Sequence, residues 1–135
     1  MNELTVEARL DNLEKVIDFI SRNLEEAGGS PAIEIQVHLA VEEIFVNVAS
    51  YAYEPGTGPV TIQCGPLGSD RFEIIFIDQG VPYDPVAKDD PDVTLEIEER
   101  QIGGLGIFLA KQYMEEMNYR YENGSNILTM IKNLR

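Results

Sequence analysis

A carboxylate and an amide stand one helical turn apart near the middle of the chain. Glu43 and Asn47 are separated by four residues, so a helix places them on the same face. Carboxylate and amide oxygens are ligands that Mg²⁺ accepts alongside water and phosphate oxygens. Glu42 is the competing carboxylate, but it lies about 100° around the helix from Glu43. The spacing predicts an ion- and phosphate-binding face led by Glu43; the alternative is that both side chains simply face water.

A second carboxylate ends an apolar run. Asp78 follows residues 72–77, which alternate as a strand does, and Gly80 lets the backbone turn closely beneath a ligand. A buried carboxylate can accept a hydrogen bond from an exocyclic amine such as that of adenine. Its alternative role is to cap the turn of the loop that follows.

Three glycines precede a helical pattern: Gly103, Gly104 and Gly106. The start of a helix presents unpaired N–H groups and the positive end of its dipole, which together attract an anion. The spacing matches neither the Walker loop nor the dinucleotide fingerprint, so those two folds are disfavoured. The same glycines could instead permit close packing of the helix on a sheet.

The elements that must position these residues alternate in type along the chain. Hydrophobic periodicity and turn residues predict strands at 3–9, 60–64, 72–77, 119–122 and 126–132, and helices at 12–27, 30–53 and from Gly103 through Met117. Helices grouped before and between hairpins favour an α+β fold. We therefore expect a two-layer α/β sandwich with a mixed, mostly antiparallel sheet and helices packed on one face.

Length and composition limit the classes of function. The 135 residues fit a single domain, 1–135, and a net charge of −14 repels nucleic-acid backbones. No stretch approaches the ~20 apolar residues of a membrane span, and the N-terminus lacks the pattern of a secretory signal, so we expect a cytoplasmic protein with neither nucleic acid nor membrane as partner. The single cysteine, Cys64, lies in a strand pattern and is interpreted as structural.

Taken in order, these segments resemble the GHKL, or Bergerat-fold, ATPase superfamily, and within it the small bacterial anti-sigma-factor serine/threonine kinases. Residues 40–53 resemble the N-box of that superfamily, residues 78–85 its first glycine box, and residues 103–109 its second. The resemblance covers nearly the whole chain. It implies the histidine-kinase-like ATPase fold, with ATP and Mg²⁺ as cofactors.

The resemblance also implies a role for each site residue. Glu43 would be the general base or water-orienting carboxylate, Asn47 the magnesium ligand, and Asp78 the acceptor for the adenine amino group. Gly80 would let the base sit close to the backbone.

The phosphate side of the site is implied in the same way. Gly103, Gly104 and Gly106 would bind the nucleotide, the last two at its phosphates, and residues 86–102 would form a lid. The chain departs from the family pattern at Tyr51, where many relatives carry histidine, and at Ser125 and Asn126, where a Gly-Thr-like pair is common.

The implied partners are proteins. Kinases of this type phosphorylate a STAS-domain anti-sigma-factor antagonist, sequester a sigma factor when not so engaged, and form homodimers. Two alternatives stay open: a nucleotide-dependent binding module that sequesters a sigma factor without phosphotransfer, and a degenerate domain that has lost ATP.

Overall fold

The computed structural model describes residues 1–85 and 104–134. Three α-helices and five strands are present in this part of the chain. The helices are α1 (Leu13–Glu26), α2 (Pro31–Asn47) and α3 (Gly104–Tyr113); the strands are β1 (Asn2–Glu7), β2 (Pro59–Leu67), β3 (Arg71–Asp78), β4 (Glu116–Glu122) and β5 (Ser125–Asn133). None of the helices in the described ranges has the length and apolar character needed to cross a membrane.

Helix α2 carries the Glu43 and Asn47 pair, and its sequence explains where it begins. The Ser30 hydroxyl accepts a hydrogen bond from the Ile33 N–H at 3.3 Å, and Pro31 fills the first turn. After Asn47 the chain continues as a π-helical segment, Val48–Ala52. The helix predicted to reach residue 53 is confirmed, with a widened last turn of the kind often found at functional sites.

The sheet has the strand order β1-β2-β3-β5-β4, and every pairing among these strands is antiparallel. The tight turn between β4 and β5 is formed by Asn123 and Gly124, a pair typical of hairpin turns, and their φ values of 52° and 79° are those that such a turn requires. β5 lies between β4 and β3, so the register sets Asp78 opposite Asn126. The terminal hairpin therefore delivers a polar residue to the end of the apolar strand β3.

One core joins the sheet to the helices. Alternate residues of β2 and β3 are buried, and they form a single cluster with buried residues of all three helices, such as Ile20, Phe45 and Ala110. The intervening strand residues are partly or fully exposed. Helices thus cover one face of the sheet, which confirms the predicted α+β sandwich.

The end of α3 differs from the sequence-based expectation. The helix ends at Tyr113, and Met117, which we expected in its last turn, lies in β4 opposite Met130. The Lys132 amine donates to the Tyr113 carbonyl, which satisfies one of the last backbone acceptors of the helix. Apolar residues three apart suited a helix, but pairing with β5 from Glu116 onward determines the observed strand.

Candidate functional site

A cavity of about 120 Å³ opens between the end of α2 and the neighbouring ends of β3 and β5. Apolar side chains such as Ile44, Phe76 and Leu128 form much of its wall, and Asn47 and Asp78 bring polar atoms to it. Ligand pockets usually measure roughly 300–1,000 Å³, so this cavity suits one part of a ligand, such as a flat base. Two of the residues predicted to bind the same ligand therefore lie at one cavity.

Asn47 is distinguished by an unsatisfied polar atom. Its Nδ2 is buried, and within residues 1–85 and 104–134 it is the one buried side-chain nitrogen or oxygen without a hydrogen-bond partner. Leaving such an amide unpaired costs about 1–3 kcal/mol. A half-turn of the amide would exchange Nδ2 and Oδ1. The side chain can therefore either donate a hydrogen bond to an acceptor through Nδ2 or coordinate a cation through Oδ1.

Glu43 lies one turn before Asn47 and is partly buried. Burial, and then the neighbouring Glu42 carboxylate, raise the pKa of Glu43 above its usual value of 4.5. Glu42 is exposed and borders a separate concave surface beside α1, together with Leu10 and His38. The two adjacent carboxylates therefore face different surroundings, and only Glu43 lies in helical register with Asn47.

Asp78 is buried, with 5% of its surface exposed. Its Oδ1 accepts two hydrogen bonds, from the Gly80 N–H at 2.9 Å and from Asn126 Nδ2 at 2.9 Å. The turn-capping role and a cavity-lining position therefore coexist in one carboxylate, since Asp78 also borders the cavity. The sequence presented these two roles as alternatives.

Asn126 also lines the cavity, a place that the sequence did not indicate. In the sequence it is only a departure from the family pattern, yet it is buried beside Asp78. The signal that could have located it is the antiparallel register of β3 with β5. Sequence patterns identified both strands but paired each only with its neighbour along the chain.

Gly80 is required by a close approach within the protein. A Cβ atom at this position would lie 2.2 Å from the Ala52 carbonyl oxygen, and the adjacent Val81 N–H donates to that oxygen at 2.9 Å. This contact holds the loop after β3 against the π-helical segment. The further role of Gly80 beneath a bound base stays a prediction.

Tyr53 also holds the loop after β3, through its hydroxyl group. Its hydroxyl donates to the Pro59 carbonyl at 2.6 Å and accepts from the Gln79 N–H at 2.7 Å. The ring lies so close to Gly58 that a Cβ there would meet it at 2.6 Å. Burial is the main cause that raises the pKa of Tyr53, so the hydroxyl retains the proton that it donates.

The phosphate side of the site is described only in part. Gly104 and Gly106 lie in the first turn of α3, where helix N–H groups are unpaired within the helix. Gly103 and the predicted lid at 86–102 lie outside the described residues. Phosphate binding by these glycines therefore stays a prediction.

The fold agrees with that of a known family. Residues 6–132 match the histidine kinase-like ATPase domain, so nearly the whole chain is covered. The chain belongs to this family, as the sequence motifs indicated.

Individual relatives refine the comparison. The chain is 31% identical over 94 residues to the serine-protein kinase RsbW of Bacillus cereus (strain B4264), an alignment that covers 67% of this chain and 58% of that protein. It is 29% identical over 103 residues to the serine/threonine-protein kinase BtrW of Bordetella bronchiseptica, covering 75% of this chain and 71% of that protein. The chain thus matches somewhat more than half the length of the first relative.

Proposed function

We propose that this domain binds ATP with Mg²⁺ in the cavity beside α2. The buried and unpaired Nδ2 of Asn47 is the observation that carries the proposal, because it marks a polar position without a protein partner among the described residues. Asp78 borders the same cavity and offers an acceptor for an exocyclic amine. The family match supports the nucleotide class, and an oxygen ligand at Asn47 suits Mg²⁺.

We further propose that the protein is a serine/threonine kinase. Bound ATP and Mg²⁺ would supply the transferable phosphoryl group and offset its charge. In this proposal Asp78 orients the base, Asn47 holds the cation, and Glu43 accepts the proton of the acceptor hydroxyl at its carboxylate. The raised pKa of Glu43 favours this role, since a general base works best when its pKa approaches the working pH.

The proposed protein substrate is a STAS-domain anti-sigma-factor antagonist, and a sigma factor is the proposed second partner. The names of the relatives RsbW and BtrW, both protein kinases acting on serine or on serine and threonine, support a hydroxyl acceptor. The motif resemblance supports the regulatory partners. It also supports a cytoplasmic homodimer, which light scattering of the purified protein would test.

The deciding experiment follows label from γ-labelled ATP to proteins that co-purify from the native cell. We expect Glu43→Ala to reduce transfer at least about 10²-fold while it retains nucleotide binding, in line with the usual contribution of a general base. Glu42→Ala is the matched control, because Glu42 is adjacent but exposed on another surface. Equal transfer by the Glu43→Ala protein and its parent would contradict the catalytic assignment.

The same experiment separates the alternatives. Binding of Mg-ATP by calorimetry, with no label passed to a co-purified STAS protein, would identify a nucleotide-dependent binding module instead of a kinase. Failure of the parent protein to bind Mg-ATP would identify a degenerate domain and would contradict the whole proposal.

A further inference from the structure

Asn126 joins three separate parts of the cavity wall through its amide group. Its Nδ2 donates to Asp78 Oδ1 at 2.9 Å, and it also lies 3.0 Å from the Val81 carbonyl and 3.3 Å from the Gly80 carbonyl. Its Oδ1 accepts from the Tyr83 N–H at 3.2 Å and from the Tyr119 hydroxyl at 2.5 Å. One buried side chain thus links β3, β4, β5 and the loop after β3.

The surroundings of Asn126 fix which way its amide points. All three groups facing Nδ2 are acceptors, whereas the Tyr83 N–H that faces Oδ1 can only donate. A reversed amide would set oxygen against oxygen and N–H against N–H. Burial, together with the Asp84 and Asp78 carboxylates, raises the pKa of Tyr119, so its hydroxyl keeps a proton to donate to Oδ1.

This orientation determines how Asp78 meets the cavity. Oδ1 of Asp78 is occupied by the Gly80 N–H and by Asn126 Nδ2. Among the described residues Oδ2 has no hydrogen bond, and Asp78 borders the cavity. The carboxylate is therefore held by one oxygen, which prevents it from turning and leaves the other available to a ligand.

We propose that Asn126 is a positioning residue that sets base selectivity, holding Asp78 so that it accepts from a 6-amino purine and disfavours a 6-oxo purine. The inference rests on the proposed ATP site and goes beyond it, since it assigns discrimination between bases to a residue of β5. A carboxylate released from Asn126 can turn, and it can then accept from the N1–H that hypoxanthine carries in place of the adenine acceptor. Loss of the amide should therefore relax selectivity and not merely weaken binding.

The test compares the affinities for ATP and for inosine triphosphate by calorimetry with Mg²⁺ present. We expect the parent to prefer ATP by at least about tenfold, the size of one well-placed hydrogen bond to a charged group. Asn126→Leu removes both functions of the amide, and we expect the ATP-to-ITP affinity ratio to fall at least about fivefold. Asn118→Leu, an exposed site on β4, is the matched control and should leave the ratio unchanged.

A second variant keeps the test decisive if Asn126→Leu does not fold. Tyr119→Phe preserves the ring and removes only the hydroxyl that donates to Asn126 Oδ1. We expect it to lower the ratio about two- to threefold, because the Tyr83 N–H still holds the amide in part. A purely structural role would weaken both nucleotides equally and leave the ratio unchanged.

The outcomes distinguish this inference from the proposal on which it rests. A parent that prefers ATP, with the same ratio in both variants, would overturn the role of Asn126 and leave the ATP site intact. A parent that binds ATP and inosine triphosphate equally would also overturn it. A parent that binds neither nucleotide would overturn the proposed function and this inference together.

Discussion

Two asparagines border the same cavity, and their surroundings are opposite. Asn126 uses both atoms of its amide, with three acceptors near Nδ2 and two donors near Oδ1. Asn47, on the helical side, has a buried Nδ2 with no partner in the described part of the chain. Both are polar residues in a largely apolar wall, so residue type alone does not explain the difference.

On the β3–β5 side of the cavity, the protein itself supplies the hydrogen-bond partners of the buried amide. On the α2 side, the described residues do not. A satisfied amide network holds its members in one geometry, whereas an unpaired buried amide lowers stability until something binds it. The β3–β5 side is therefore suited to reading the shape and hydrogen-bonding pattern of a rigid group. The α2 side is suited to a ligand or cation that arrives with its own charge.

The largest effect that we expect is the loss of folding stability when Asn126 is replaced. We expect Asn126→Leu to lower the free energy of unfolding by about 3 kcal/mol, because several buried polar partners would lose their hydrogen bonds at once. Urea denaturation of the variant and of Asn118→Leu would measure it. A loss below ~1 kcal/mol would remove the claim that this side is held by its own network.

The next effect concerns ligand binding at Asn47. We expect Asn47→Leu to weaken Mg-ATP binding about 100-fold, or ~2.7 kcal/mol, because it removes the proposed cation ligand. The same change should leave the free energy of unfolding unchanged or raise it by about 1 kcal/mol, since it removes an unpaired amide. Calorimetry and urea denaturation together test this. Reduced stability with unchanged affinity would show that Asn47 stabilises the fold and does not bind the ligand.

Substitution of Gly80 tests whether the loop after β3 must lie against the π-helical segment Val48–Ala52 for the site to form. A Cβ there would lie 2.2 Å from the Ala52 oxygen, so we expect Gly80→Ala to destabilise the fold by about 2 kcal/mol, as overpacking in a core does. Gly56→Ala is the control, because its Cβ would have no neighbour nearer than 3.5 Å. Thermal unfolding of both variants would measure the difference. Equal midpoints would show that the backbone at Ala52 can shift to accommodate a Cβ at position 80 at little cost.

The smallest expected effect is the pH dependence contributed by Glu43. Because burial raises its pKa in the folded state, its protonated form adds stability below the usual pKa of 4.5, and this stability is lost as pH rises through the raised value. Glu43→Gln should therefore gain stability relative to the parent as pH rises from 4.5 through the raised pKa, by less than ~1 kcal/mol because solvent screens a partly exposed group.

Unfolding midpoints measured across that range for the parent and for Glu43→Gln would reveal the difference. A stability difference that stays constant with pH would show that the ionised Glu43 carboxylate is not disfavoured by its surroundings.

The elements and most of their order could be predicted from the sequence. The serine and proline at the start of α2 and the Asn-Gly turn before β5 act within a few residues, so local patterns were sufficient. The predicted end of α3 was wrong because Met117 fits both the helical and the strand period of apolar residues. Its pairing with Met130 in β5 decided between them.

By itself, the sequence determined the fold class and the motifs that define the family. Those features depend on hydrophobic period, turn chemistry and short spacings, which are encoded along the chain. Only the tertiary structure decided that Asn126 holds Asp78, that Gly80 is needed beside Ala52, and that Asn47 stays unpaired within the described residues. The physical reason is distance along the chain: Asn126 and Asp78 are 48 residues apart, and only the pairing of β5 with β3 brings them into contact.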